Sequence, residues 1–513
     1  MSDNSAANKR IAKNTLFLYI RIGICTLISL YTSRVVLNVL GVDDFGVYNV
    51  VCGFVSLFGV FNVCFSTCIN RFYNFEIGQG REGGVKNVFN AALRIQAVLS
   101  LIIVVLIEAV GVWYLNNKMV IAPERLGIAN VIFQFSVFSM VMTIMQAPYS
   151  AAVMSYEKMD YYAVVSIIDA FLNLGFVLLL KIIPLDKLLF YGIIKCSITL
   201  VTFLMYFFYC RVKFREIRFT RGFDKSYFKP MLSFSGWSLL DPVSYTARDQ
   251  GTNMVLNAFF GTAVNAAQGI AYSVAAAVDS FAGSLSTSFR PQIIQSYAEG
   301  NYQRTKRLMY SMSRLNLILQ LMIAIPVCFE IEQILRLWLG PECPGYAPIF
   351  TVLVISVKAI NCLNSPISQV MTATGKIKVI KSVSAVIVCM TVPLAILLFK
   401  LGCAPWSIYA GLLGITIINQ ISCVIILAKT FTYITVQDYL NSIVWPTLLF
   451  LFISVLLPML ITVFLPKTLW RLLFNLPLSC LAVIAVGYFV LLDKEEKGMF
   501  KEIFGKFTKM LKR

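Results

Sequence analysis

Leu440-Asn-Ser-Ile-Val-Trp445-Pro-Thr-Leu-Leu-Phe450-Leu-Phe-Ile-Ser-Val455-Leu-Leu-Pro-Met-Leu460-Ile-Thr-Val-Phe464 holds no charged side chain. A helix needs about 20 predominantly apolar residues to cross a bilayer, so this stretch is long enough to span one. The next run, 470–492, is also long enough. Working back along the chain, similar runs stand at about 14–39, 46–69, 88–113, 127–152, 161–181, 188–209, 230–258, 264–289, 308–330, 347–372, 380–400 and 405–428. In lipid every backbone N–H and C=O must be satisfied within the segment, so each run is expected to be a helix. The fold class is therefore an all-α polytopic membrane protein of about 14 transmembrane helices. Composition agrees: 58% of the residues are hydrophobic and only 13% are charged, against about 25% charged in soluble domains. The loops are short, and none is long enough to form a sizeable domain outside the membrane.

The formal charge of +19 has a topological reading. With the N-terminus inside, the inside segments hold about 31 Lys and Arg and the outside segments about 8, the asymmetry of the positive-inside rule. Alternation of this kind requires an even number of spans, so both termini are expected in the cytoplasm. Twelve spans would satisfy the parity too; the length of the last two runs favours fourteen. The apolar run after the polar residues 1–13 is too long for a signal-peptide core and is read as a retained first span. Nucleic acid is not an expected partner.

Sliding the chain on itself by 220 residues aligns Gly41 with Gly261, Gly80 with Gly300, Lys86 with Lys306 and Arg94 with Arg314. This predicts two six-helix lobes in parallel repeat. The expected division is an N-terminal lobe at 1–209 (helices 1–6), a basic cytoplasmic linker at 210–229 and a C-terminal lobe at 230–429 (helices 7–12). Two extra helices follow at 430–492. The tail, 493–513, carries Phe500, Ile503, Phe504, Phe507 and Met510 at helical spacing among lysines. It reads either as an amphipathic helix on the anionic inner leaflet or as a solvated charged tail.

Charged groups at membrane depth are costly and mark interior cavities, ion pairs or substrate paths. The basic ones are Arg21, Arg34, Lys195, Arg248 and Lys358; the acidic ones are Glu108, Asp169, Asp241, Asp249 and Asp279. In the seventh span Asp241, Ser244, Tyr245, Arg248 and Thr252 share one helical stripe. Pro242 offers a bend, a candidate hinge. The stripe lines a wet cavity, or Asp241 and Arg248 form an ion pair. Arg34 either snorkels to the outer surface or meets substrate. Arg21 lies deeper. The basic set suits an anion, since Arg grips phosphate with two bonds. The acids suit a coupling cation, Na+ or H+, left open. There is no histidine, and the thirteen cysteines are scattered, so neither a metal site nor a disulfide framework is expected and no cofactor is called for. No phosphate-binding Gly-x-x-x-x-Gly-Lys-Ser/Thr loop is present, and the chain is not expected to be an enzyme.

Asn14-Thr-Leu-Phe-Leu-Tyr-Ile-Arg21, Tyr31-Thr-Ser-Arg34-Val-Val-Leu-Asn38-Val-Leu-Gly41-Val-Asp43-Asp-Phe-Gly46-Val-Tyr48 resembles the opening of bacterial polysaccharide flippases. These are the O-antigen and capsule repeat-unit transporters of the multidrug/oligosaccharidyl-lipid/polysaccharide exporter superfamily. The resemblance implies alternating access around a central cavity between the lobes, in the bacterial inner (cytoplasmic) membrane. The implied cargo is an undecaprenyl-diphosphate-linked oligosaccharide, moved from the cytoplasmic to the periplasmic leaflet for surface polysaccharide or lipopolysaccharide synthesis. Membrane lipids are partners on this reading, and glycan polymerases are candidate partners. Arg21 and Arg34 lie within the matching stretch; Lys195, Arg248 and Lys358 do not. The alternatives are a multidrug cation antiporter of the same fold and a membrane glycan-assembly enzyme or scaffold.

Overall fold

The computed structural model describes residues 14, 17, 18, 20–29, 31, 32, 35, 36, 39, 40, 44, 48, 51, 52, 55, 58–117, 123–180, 182, 186–220, 225–260, 262–339, 345–494 and 496–498. Regular structure among them is helical throughout, with no strand. Arg34 and the tail's apolar residues from Phe500 onward lie outside the described residues. Ten helices are long and apolar enough to cross a membrane, so the chain is a multi-pass membrane protein. The chain divides into two compact units, Met1–Leu239 and Leu240–Arg513.

Unit 1 comprises α1 (Ile20–Ser29), α2 (Gly59–Gly78), α3 (Glu82–Ile107), α4 (Trp113–Asn117), α5 (Pro123–Ser155), α6 (Met159–Leu179), α7 (Lys187–Lys213) and α8 (Lys225–Ser238). A π-helical turn at Glu108–Val112 joins α3 to α4. Helix α5 packs on α2, α3 and α7, and α6 lies against α7. Val51, Ile103, Ile132, Phe133, Ile144 and Ile198 close the core. Polar side chains at membrane depth bond back to their own helix: Thr32 Oγ1 donates to the Ile28 carbonyl at 2.7 Å and Ser197 Oγ to the Ile193 carbonyl at 2.8 Å. That bonding lets hydroxyls sit in an apolar medium. Asp186 caps α7, its carboxylate accepting from the Leu188 and Leu189 backbone N–H groups at 3.0 Å. Arg125 pairs with Asp186 and, at 3.0 Å, with Asp44. Burial raises the Asp186 pKa, but the Leu189 N–H and the Arg125 guanidinium pull it down further, leaving it below the ordinary carboxylate value.

Unit 2 comprises α9 (Leu240–Phe260), α10 (Thr262–Ala298), α11 (Tyr302–Leu339), α12 (Ala347–Thr374), α13 (Lys378–Cys389), α14 (Thr391–Lys400), α15 (Ser407–Thr430), α16 (Val436–Tyr439), α17 (Trp445–Phe464) and α18 (Leu469–Val490). Helices α10, α11 and α12 pack on one another, α15 packs on α12, and α17 and α18 pack on α11. Phe350, Tyr409, Ala267, Leu335, Phe450 and Val483 belong to one core. Helix α18 is locked by a buried ion pair: Arg471 Nη2 donates to Glu330 Oε2 at 2.8 Å, with side chains 5% and 0% exposed. Asn475 Nδ2 donates to the other Glu330 oxygen at 2.6 Å.

The internal repeat is borne out in register. Helix α2 ends at Gly78 and α3 starts at Glu82, while α10 ends at Ala298 and α11 starts at Tyr302. Each pair of ends is separated by the same 220 residues that align the sequence. The turns carry Gly80 at φ 68° and Gly300 at φ 79°, the left-handed conformation that only glycine adopts without strain. Two other features were not evident from hydropathy. Helices α9 and α10 are long, yet too polar to be among the ten apolar spans. The seventh apolar run is two helices, α8 and α9, broken at Leu239, three residues before Pro242. Pro242 sits in the first turn of α9, where a missing N–H leaves no bond unmade.

Candidate functional site

A cavity of about 650 Å³ opens within unit 1. Its walls are three stripes at helical spacing: Arg21, Cys25 and Ile28 on α1; Tyr162, Ser166, Asp169 and Asn173 on α6; Lys195, Thr199, Thr202 and Tyr206 on α7. At roughly 30 Å³ per water, it holds about twenty waters. Three of the intramembrane charges therefore share one wet space, as their burial cost requires.

The bonding in this cavity leaves the two cations without a carboxylate in contact. Arg21 Nη1 donates to the Tyr162 hydroxyl at 3.4 Å, and its guanidinium lies 5.0 Å from the centre of that ring. Its Nε is buried with no partner. Lys195 Nζ donates to Asn173 Oδ1 at 2.6 Å and stands 5.5 Å from the Tyr191 ring. Asn173 passes the connection on, donating through Nδ2 to Asp169 Oδ2 at 3.3 Å, and Thr202 Oγ1 donates to Asp169 Oδ1 at 3.3 Å. Asp169 is thus held by neutral donors. Two cations and one carboxylate leave a net positive cavity, lined with hydroxyls and amides able to bond an anion bearing hydroxyl groups.

Unit 2 holds a different arrangement. A cavity of about 450 Å³ is lined by Tyr245, Asp279, Arg290, Asn316, Lys358 and Asn361, among others. A smaller one of about 190 Å³ shares Tyr245, Asn361 and Ser365 with it and adds Asp241 and Lys381. Lys358 Nζ pairs with Asp279 Oδ2 at 3.2 Å, and Lys381 pairs with Asp241. The inward stripe of α9 is confirmed by burial of Ser244, Arg248 and Thr252. Asp241 and Arg248 do not pair with each other. Arg248, with a side chain 7% exposed, turns to its neighbour Asp249 at 2.6 Å and lies 4.9 Å from the Tyr245 ring. Tyr272 donates its hydroxyl to Asp249 at 3.2 Å. Arg248 and Asp249 line none of these cavities. Glu108 stands apart, at the start of the π-helical turn, accepting from Gln134 Nε2 at 3.1 Å.

Residues 21–179 match the family model MatE. No curated protein sequence matches the chain. Among solved structures, one described as MATE in the bent conformation superposes with a TM-score of 0.72 at 13% identity, over 83% of this chain and 96% of that one.

The fold is that of the MATE transporters.

An outward-facing multidrug resistance MATE family transporter of the MOP superfamily matches with a TM-score of 0.70 at 14% identity, over 83% and 96% of the two chains. A MOP superfamily transporter from Pyrococcus furiosus matches with a TM-score of 0.68 at 14% identity, over the same shares; it is described as having a binding pocket of reversed polarity that suggests a different function. The MATE fold thus extends well beyond the stretch that the family model matches.

Sequence reasoning singled out Arg21, Asp169 and Lys195, which this fold brings together, and Asp241, Tyr245, Asp279 and Lys358, which line the unit 2 cavities. It missed Asn173, although its place four residues after Asp169 puts both on one face of α6. It also missed Arg290, which it counted with the basic residues of an inside loop. Arg290 lies within α10, a turn and a half or more before the helix ends at Ala298. Among the described residues, no group of three or more His, Cys, Asp or Glu stands together as a metal site would need.

Proposed function

We propose that this chain is a membrane transporter that flips an undecaprenyl-diphosphate-linked oligosaccharide from the cytoplasmic to the periplasmic leaflet by alternating access. On this reading it serves surface polysaccharide synthesis in the bacterial inner membrane, with both termini cytoplasmic. The observation that carries the reading is the unit 1 cavity. Arg21 and Lys195 face one polar space, and neither is neutralised by a carboxylate in direct contact. A diphosphate suits two such cations, because charge-assisted bonds to phosphate are roughly twice as strong as neutral ones. The flanking hydroxyls and amides suit a sugar, and a polyprenyl tail needs no cavity because lipid solvates it. Arg34 remains a further candidate contact on the basis of the stretch it belongs to. The MATE fold and the printed description of a relative with reversed pocket polarity support a transporter whose cargo differs from cationic drugs.

A multidrug cation exporter is the second reading. Asp169 and the Tyr162, Tyr191 and Tyr206 rings in the same cavity favour it, as does the similarity to a multidrug transporter. Two cations against one carboxylate weigh the other way. Cells producing Arg21→Ala or Lys195→Ala in place of the wild-type chain decide between them. The flippase reading predicts lost surface glycan and lipid-linked repeat units accumulating on the inside, with unchanged drug sensitivity. Normal glycan at normal protein levels, together with raised drug sensitivity, would establish the exporter instead.

A further inference from the structure

We infer that unit 2 carries a phosphate-binding site of its own, in which Arg290 is the fixed anchor and Lys358 is released from Asp279 to close on the ligand. The inference deepens the flippase reading in naming a phosphoryl lipid as the natural source; the site itself is argued from unit 2 alone.

Arg290 lines the 450 Å³ cavity from α10. It makes no ion pair or hydrogen bond among the described residues, and its Nε is shielded from solvent without a partner. A guanidinium held at membrane depth with nothing to neutralise it destabilises the fold, and such groups persist where a ligand meets them. Lys358 lines the same cavity, tied to Asp279 at 3.2 Å. That pair is about a third to nearly half exposed to the cavity, so solvent weakens it and a stronger anion competes for the ammonium. Ser286 Oγ and Ser365 Oγ, 3.1 Å apart, supply hydroxyls at the wall. Asn316 Nδ2 donates to Ser286 at 3.1 Å, while its Oδ1 is buried without a donor; a ligand hydroxyl would satisfy it.

The internal repeat shows that these groups are not part of what builds a lobe. At the positions equivalent to Asp279, Arg290 and Lys358, unit 1 carries Gly59, Asn70 and Phe138. Asn70 is fully bonded: it donates to the Ser66 carbonyl at 3.0 Å and accepts from Ser155 at 3.4 Å. The same place in the fold is therefore filled by a satisfied amide in one unit and an unpaired cation in the other. All three charges are specific to unit 2, and together they line one cavity. One unpaired cation plus one exchangeable ion pair presents a single positive charge at rest and two when Asp279 lets go, which matches a phosphate or diphosphate and not a carboxylate-free sugar.

The test uses the purified full chain in nanodiscs and calorimetric titration with four probes: inorganic phosphate, inorganic pyrophosphate, farnesyl diphosphate and uncharged farnesol. Arg290→Ala is expected to weaken pyrophosphate or farnesyl diphosphate at least tenfold, the scale of a lost bond to a charged group. Arg290→Lys should restore part of that loss. Asp279→Asn should tighten binding several-fold by freeing Lys358. Without ligand, Arg290→Ala should melt no lower than wild type, because no partner is orphaned; a structural arginine would behave oppositely. Farnesyl diphosphate bound more tightly than pyrophosphate identifies a lipid headgroup as the source, and equal affinities identify free phosphate; both support the site. No binding of any phosphorylated probe overturns it. So does affinity unchanged by Arg290→Ala, or a lowered ligand-free melting temperature without rescue of binding by Arg290→Lys. Binding lost in Arg21→Ala but kept in Arg290→Ala would refute this inference and leave the unit 1 cavity standing. The reverse pattern would keep the inference and remove the site proposed in unit 1.

Discussion

Replacing Arg471 by Met tests how α18 is held. Arg471 is 5% exposed and meets Glu330, which is fully buried, at 2.8 Å. Its Nη1 also donates to the Leu465 carbonyl at 3.2 Å. Removal of the guanidinium leaves the Glu330 carboxylate with one neutral donor, Asn475 Nδ2 at 2.6 Å. Breaking a buried pair by deleting one partner costs about 3–5 kcal/mol, most of it the penalty of the stranded charge. Proton uptake by the carboxyl caps the loss. For a unit of this size the cost corresponds to a drop of roughly 5–15 °C in melting temperature. The pair as a whole is worth far less than this, so Glu330→Gln added to Arg471→Met should recover most of the drop. The assay is thermal unfolding of the purified chain in detergent, followed by the loss of monodisperse protein. Equal melting temperatures for the single and double variants would refute the argument that a stranded charge, and not lost packing, sets the cost.

Three other outcomes are expected. Arg248→Ala should lower the melting temperature while leaving binding of a phosphorylated lipid within about twofold, because Arg248 is committed to Asp249 and Tyr245 away from the cavities; titration beside a melting curve separates the two effects. Gly300→Ala should cost about 1–2 kcal/mol through its left-handed backbone at φ 79°, with Gly300→Asn costing less, as chemical denaturation of the two variants would read. Asp186 has a lowered pKa in the folded chain, so its share of stability is complete above the ordinary carboxylate value and is lost as pH falls through the folded value. Asp186→Asn should therefore flatten the acid limb of a melting-temperature profile.

The helical spans were legible because hydrophobic length leaves one solution for a backbone in lipid, and the lobe repeat because a loop needing left-handed backbone keeps its glycine in each copy. The unit 1 cavity was half legible. Arg21, Asp169 and Lys195 stood out as charges where none is cheap, but their meeting depends on how α1, α6 and α7 pack, which no single helix encodes. Arg290 was hidden because hydropathy places helix ends where charge begins, and α10 continues past its charge to Ala298. The partner of Arg248 was misjudged for a related reason. A stripe predicts Asp241, two turns away, whereas a flexible guanidinium can fold onto adjacent Asp249. The break at Leu239 has no proline in place to announce it.

The most direct measurement is flipping by the purified chain in liposomes, scored by the fraction of a diphosphate-linked prenyl oligosaccharide that becomes accessible to an external glycosidase. Wild-type protein is expected to move it, and the Arg21→Ala/Lys195→Ala double variant to move it at least about tenfold more slowly at equal incorporation, in keeping with two lost charge-assisted contacts. Equal rates for the two proteins, or movement of a cationic dye but not of the lipid-linked glycan, would contradict the account.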